Sequence, residues 1–250
     1  MDLLFLLAIV TVAIVLLFDY TNGFHDAANI VATVIASRAM TPAQAVVIVG
    51  VFEFLGPLLG GTAVADTIGG FVRMDDVAPL LSLSILLCGL IGAIAWNLAT
   101  WYFGIPSSSS HALIGGLIGA ALVKSGPSAL ITGGVVKVVS FILISPLLGM
   151  VLGTLMMILV SWVFRKSTPR RVDTWSRRLQ LLSASAYALG HGGNDAQKTI
   201  GIIWMLLISA GITKTNEHVP YWVVVACYSA IGLGTIFGGW RIIKLMGQKI

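Results

Sequence analysis

Residues 130–164 run for 35 positions with a single charged side chain, Lys137. About 20 apolar residues are enough for a helix to cross the hydrocarbon core of a bilayer. Inside that core every backbone N–H and C=O must find its partner within the chain, which leaves helices and closed barrels as the spanning structures. The run is continuously apolar, not alternating, so it predicts helix. Ser145-Pro146 interrupts it and leaves open one long kinked helix or two short ones. Composition agrees: 57% of the residues are hydrophobic and 10% charged, with a mean hydropathy of +0.97, where soluble domains carry about 25% charged residues.

Six further stretches are apolar: residues 3–35 with a polar interior, 43–65 with Glu53 and Pro57, 80–102 with Asn97, 105–123, 181–212 with a polar interior, and 221–237. Residues 66–76, with Asp75 and Asp76, read as a solvated loop. Six of the 15 Lys and Arg residues lie between Arg165 and Arg178, which predicts a cytoplasmic loop over 165–180. That loop divides a first membrane repeat, 1–164, from the start of a second, inverted one, 181–250. If each stretch crosses once, the N-terminus is outside and the C-terminus inside. Ten Lys and Arg then lie inside (Arg38, the six of the loop, Arg241, Lys244 and Lys249) and three outside (Arg73, Lys124 and Lys214). The expected fold is an all-α integral membrane protein, multi-pass in a plasma or inner membrane. Met1-Asp2-Leu3 lacks the basic flank of a signal peptide, so the first stretch reads as a membrane helix. Cys88 and Cys227 lie in apolar runs and read as free, packed thiols. The net charge of +5 is not a nucleic-acid signature.

Polar residues inside these stretches need a reason, since a buried polar group without a partner costs roughly 2–7 kcal/mol. Gly104-Ile105-Pro106-Ser107-Ser108-Ser109-Ser110-His111 is the densest case. Pro106 suits the first position of a helix, which puts the serines on its first turn. There the free N–H groups and the positive end of the helix dipole make an anion site, and the hydroxyls add donors. The segment either crosses the membrane or re-enters it as half of a hairpin. The plainer alternative is a set of helix caps.

Gly23-Phe24-His25-Asp26-Ala27 and Gly192-Gly193-Asn194-Asp195-Ala196 resemble one another. Each predicts a Gly-flanked helix break holding a carboxylate, in spans of opposite direction, as in inverted-repeat secondary transporters. An ionised Asp at the bilayer centre costs about 2.5–3.5 kcal/mol and faces a partner or a cavity. Asp26 and Asp195, with Asn29 and Asn194 beside them, are therefore candidates for a proton or hard cation. The alternative for Asp195 is an i,i+3 ion pair with Lys198. His25, His111 and His191 each sit in a polar break and are candidates for proton handling. No two share the spacing of a zinc set, so no metal site and no cofactor beyond a coupling H+ or Na+ is expected. Glu53 reads equally as a structural pair or a coupling group.

Together with Gly190-His191 and Gln197-Lys198, and with Arg170-Arg171-Val172 and Gly238-Gly239-Trp240-Arg241, these motifs resemble the inorganic phosphate transporter (Pit) family over essentially the whole chain. The resemblance implies a secondary transporter that carries phosphate, or a metal–phosphate complex, with a proton or sodium ion. It implies that Asp26, Asn29, Asn194 and Asp195 bind cation and phosphate, that Ser107 to Ser110 form the phosphate-binding tip, and that Gln197 joins Asn194 in the phosphate set. Lipid, and possible further copies of the chain, would be its other partners. A second serine/threonine-rich tip, usual in the family after the Gly-Gly-Trp-Arg stretch, is missing. The chain thus reads as a member lacking the C-terminal part of its second repeat.

Three other functions compete with this reading. A permease for another oxyanion, such as sulfate, would need much the same residues. A passive anion channel would need no cation gradient. An intramembrane hydrolase would use a serine with His111 or His25. Against the last, there is no Gly-x-Ser-x-Gly elbow, and adjacent Ser110 and His111 point about 100° apart on a helix.

Overall fold

The computed structural model describes residues 3–56, 79–105, 107–214 and 218–238. Pro57, residues 66–76 with Arg73, Pro106, and the terminal stretch with Trp240, Arg241, Lys244 and Lys249 lie outside the described residues. Among the described residues there are seven α-helices: α1 Leu3–Ala36, α2 Pro42–Leu55, α3 Pro79–Phe103, α4 Ser109–Ser125, α5 Thr132–Phe164, α6 Pro169–Ser209 and α7 Tyr221–Gly238. By length and composition α1, α3 and α5 can each cross a membrane, while α2 and α7 are shorter apolar helices.

Both expected helix breaks are absent. α1 runs unbroken through Asp19 to Asn29, and α6 runs unbroken through Gly190 to Lys198. A glycine inside a helix costs only about 1 kcal/mol relative to alanine. Opening the ladder in lipid would strand backbone groups at several kcal/mol each. The glycines serve close helix crossings instead. A Cβ on Gly23 would meet the Ile231 carbonyl oxygen and lie 3.0 Å from the Thr235 nitrogen on α7. A Cβ on Gly192 would meet the Glu53 carbonyl oxygen on α2. Gly50 and Gly232 face each other where α2 crosses α7, each hypothetical Cβ lying 3.1 Å from the other's carbonyl oxygen.

The basic segment is also more ordered than the loop predicted over 165–180. Thr168 takes the N-cap position and Pro169 opens α6, so only residues 165–168 connect it to α5. Asp173 and Arg177 pair at 3.1 Å one turn apart on its exposed face. Arg177 Nη1 donates to the Arg38 carbonyl at 3.0 Å, and Gln180 Nε2 donates to the Thr33 carbonyl at 3.3 Å. The start of α6 is thereby fastened to the C-terminal end of α1, where a cation also meets the negative end of the helix dipole.

The alternatives at Ser145-Pro146 resolve to one helix: Pro146 lies inside a continuous α5, none of whose residues is buried. α3 and α4 form a hairpin. Gly104, at φ +67°, closes α3. Its N–H reaches the Trp101 carbonyl at 3.2 Å, and the N–H of Ile105 reaches the Thr100 carbonyl at 2.9 Å, a glycine-terminated C-cap. Leu90 of α3 and Leu113 and Leu117 of α4 pack into one apolar cluster with Val15 and Phe18 of α1, Ile200 and Ile203 of α6, and Cys227, Tyr228 and Ile231 of α7. Cys227 is packed as expected, but Cys88 is exposed on α3. Seated this way, the hairpin brings its tip against the interior of α1.

Candidate functional site

His191 is the hub of the buried polar groups. Its Nε2 lies 3.6 Å from Asp26 Oδ2 and 3.5 Å from Asp195 Oδ2, and its Nδ1 lies 3.1 Å from Glu53 Oε1. Both ring nitrogens therefore face carboxylates. A neutral imidazole has one N–H to give, so donation at both needs one more proton on the ring or on a carboxyl. Asp26, Glu53 and Asp195 are buried, at 7%, 0% and 7% exposure. α1 supplies Asp26, α2 Glu53, and α6 His191 and Asp195; the Gly192 crossing is what lets the Glu53 backbone come this close. Thr235 of α7 hydrogen-bonds the second Glu53 oxygen and donates to the Gly23 carbonyl as well.

Asp195 is held from two other sides. Lys198 Nζ donates to its Oδ1 at 2.8 Å, the i,i+3 pair anticipated above, and Asn22 Nδ2 donates to its Oδ2 at 3.1 Å. The same lysine donates to Ser110 Oγ at 2.6 Å. Lys198 therefore ties the serine tip to the carboxylate cluster. Asp26 is joined on its far side by His25, whose Nδ1 lies 3.3 Å from Asp26 Oδ1 and whose Nε2 lies 2.9 Å from Thr100 Oγ1 and 3.4 Å from Ser107 Oγ.

α4 begins later than Pro106 implies. Ser108 is the N-cap, its hydroxyl accepting from the His111 N–H at 3.3 Å, and Ser109 is the first helical residue. Ser107, Ser108 and Ser110 open onto a cavity of about 460 Å³ whose other walls are Asp26, Asn29, Tyr187, His191 and Asp195. One chamber thus combines a helix start with its hydroxyls and a carboxylate–imidazole cluster.

Not every predicted residue reaches this chamber. Ser109 is fully buried and its hydroxyl has no partner among the described residues. His111 is exposed and lines a neighbouring cavity with Trp96 and Ala112. Asn194 is exposed and lines the adjoining cavity beside Lys198. Gln197 is buried and lines neither of these cavities. His25 sits behind Asp26, at 1% exposure. The fold also brings in Tyr187, Thr100, Thr235 and Asn22, to which the sequence reading gave no role. Tyr187 lies one helical turn before His191, and Asn22 one turn before Asp26, so position on the motif's own helix face was the available signal. Thr100 and Thr235 carried none.

No metal set was expected. The fold brings Asp26, His191 and Asp195 together, with one potential ligand atom of each within 4.8 Å of the others. Two carboxylates and an imidazole are donors that a cation can use.

A family model described as the phosphate transporter family (PHO4) matches residues 22–250. The chain belongs to the phosphate transporter family. It is 49% identical over 249 residues to a probable low-affinity inorganic phosphate transporter of Rhizobium meliloti (strain 1021), covering 99% of this chain and 73% of the relative. It is 42% identical over 253 residues to a protein of the same description from Bacillus subtilis (strain 168), covering 100% of this chain and 74% of the relative. The low-affinity inorganic phosphate transporter PitB of Escherichia coli (strain K12) is 36% identical, over 81% of this chain and 46% of its own length. A solved structure described as the sodium-dependent phosphate transporter superposes with a TM-score of 0.81 at 21% identity, covering 98% of this chain and 78% of that one. That likeness establishes a shared fold. Family and apolar helices together make this a multi-pass protein of the cell membrane.

Proposed function

We propose that the chain carries inorganic phosphate across the cell membrane together with a cation, and that both occupy the chamber between the α4 tip and the α1–α6 cluster. One observation carries the reading: serine hydroxyls at a helix start face the same cavity as Asp26, His191 and Asp195. Helix-start N–H groups and hydroxyls replace the water of an oxyanion.

Charge supplies the coupling. Asp26, Glu53 and Asp195 bring three negative charges when ionised, against Lys198 and at most one proton on His191. Phosphate entering such a site alone adds repulsion, while a proton or sodium ion at Asp26 and Asp195 offsets it. The matched glycine crossings, Gly23 on α7 and Gly192 on α2, support two repeats that rock against each other about the α2–α7 contact to alternate access.

Ser107, His25 and Asp26 stand in the order of a hydrolase triad. However, Thr100 Oγ1 lies closer to His25 Nε2 than Ser107 Oγ does, at 2.9 Å against 3.4 Å. Asp26 also faces His191. Transport of an oxyanion fits these contacts better. The test is uptake of labelled phosphate into proteoliposomes holding the full chain, with separate proton and sodium gradients. Accumulation that needs one of the gradients is expected, with excess sulfate a poor competitor. Uptake indifferent to both gradients would make it a channel, and strong sulfate competition would make it a general oxyanion permease.

A further inference from the structure

Asp19 of α1 takes no part in the chamber described above. Its exposure is 0%, and neither carboxylate oxygen has a hydrogen-bond partner among the described residues. Thr199 of α6 and Cys227 of α7 stand nearest. The Thr199 hydroxyl is already given to the Ala196 carbonyl at 2.9 Å. The ionisable groups facing Asp19 are Cys227 and Tyr228 on α7 and Asp195 on α6. None of these brings a positive charge, and Asp19 forms no ion pair among the described residues. An ionised carboxylate this deep, with neither cation nor donor, is not sustained. In this conformation Asp19 holds its proton.

The position of that proton matters. Asp19 precedes Asp26 by seven residues, two helical turns, so both lie on one stripe of α1 with Asn22 between them. Asn22 donates through Nδ2 to Asp195 Oδ2 at 3.1 Å, and its Oδ1 is buried without a partner. A polar line therefore runs from Asp19 past Asn22 to the chamber.

We propose that Asp19 is a proton-carrying site of the transport cycle, separate from the phosphate chamber. On one side of the membrane a proton from water adds to an Asp19 carboxylate oxygen and forms an O–H bond. On the other side that bond breaks, the proton returns to water, and the carboxylate is restored. While Asp19 is charged, its field adds to that of Asp195 and opposes phosphate; neutralised, it leaves the chamber able to load. A proton needs no coordination shell, which suits a carboxyl surrounded by apolar side chains and a thiol. This inference rests on the phosphate-transport reading for its coupling, and the experiment separates the two.

Full-length wild type, Asp19→Asn and Asp19→Glu are placed in proteoliposomes. Two quantities are read: exchange of labelled phosphate at equal pH on both sides, and net accumulation driven by a pH gradient. Asp19→Asn, a fixed mimic of the protonated state, is expected to keep exchange and lose gradient-driven accumulation, and Asp19→Glu to recover it. Wild-type accumulation in Asp19→Asn overturns the proposal, as does a wild type driven by sodium and indifferent to pH. If the wild type moves no phosphate at all, it is the transport reading that fails. Infrared difference spectra then judge Asp19 separately. A protonated-carboxyl stretch in the wild type is expected to shift in Asp19→Glu, which also serves if Asp19→Asn fails to insert. No shift there overturns the proposal.

Discussion

Gly192→Ala tests whether the α6–α2 crossing builds the site. The new Cβ would meet the Glu53 carbonyl oxygen and lie 2.7 Å from its Cα and 2.9 Å from its carbonyl carbon. These are main-chain atoms of a helix and cannot rotate away. Ordinary contact begins at 3.4 Å, so α2 must withdraw by about 0.7 Å, in a core packed too densely to absorb it silently. The His191–Glu53 contact, 3.1 Å now, lengthens to about 3.8 Å, outside hydrogen-bonding range. Overpacking costs about 1–3 kcal/mol and the weakened buried hydrogen bond a further 1–3 or so. The helix preference for alanine over glycine returns about 1 kcal/mol. The net loss is about 1–5 kcal/mol. Gly190→Ala, half a turn away with nothing within 4 Å of its Cβ position, is the control and gains up to about 1 kcal/mol. Thermal unfolding in detergent, read beside phosphate uptake, should show Gly192→Ala lowered by at least about 2–4 °C and Gly190→Ala unchanged or raised. Equal midpoints and equal uptake for the two variants would refute the reasoning.

Lys198→Met removes the donor shared by Ser110 and Asp195; it should weaken phosphate binding by about 1.5 kcal/mol, roughly tenfold in half-saturating concentration. Ser108→Ala removes the α4 N-cap, about 0.5–2 kcal/mol of local stability, and should raise the half-saturating phosphate concentration, an unchanged value reducing the tip to structure alone. Asp26→Asn should abolish gradient-coupled uptake while leaving membrane insertion intact, as checked by uptake in a phosphate-uptake-deficient host and by membrane fractionation.

The serine tip and the two Asp motifs were legible because polar residues are so expensive in an apolar run that each advertises a purpose. Their helical setting was not. Glycine beside a polar cluster reads as a break, yet in lipid the intact backbone ladder wins, and the glycines at positions 23 and 192 turn out to be crossing points. His111 illustrates a second limit. It belongs to the serine motif in sequence, but one residue of helix turns it away from Ser110 and into another cavity. Glu53 and Thr235 mark a third. They hydrogen-bond each other across more than half the chain, and only the Gly50–Gly232 crossing makes them neighbours. Nothing in a linear reading pairs a lone Glu with a distant Thr.

The long α5 leaves residues 141–163 exposed without exception. No jigsaw constrains that stretch from within the chain; acyl chains are its packing partners. Swapping Leu, Ile, Val or Met among themselves there would leave every intramolecular contact as it is. A lysine in place of Leu152 would instead register against the lipid, at about 2.5–3.5 kcal/mol. Such a segment answers to oiliness and length but hardly to shape, so its spelling is free to wander while the neighbouring crossings stay fixed.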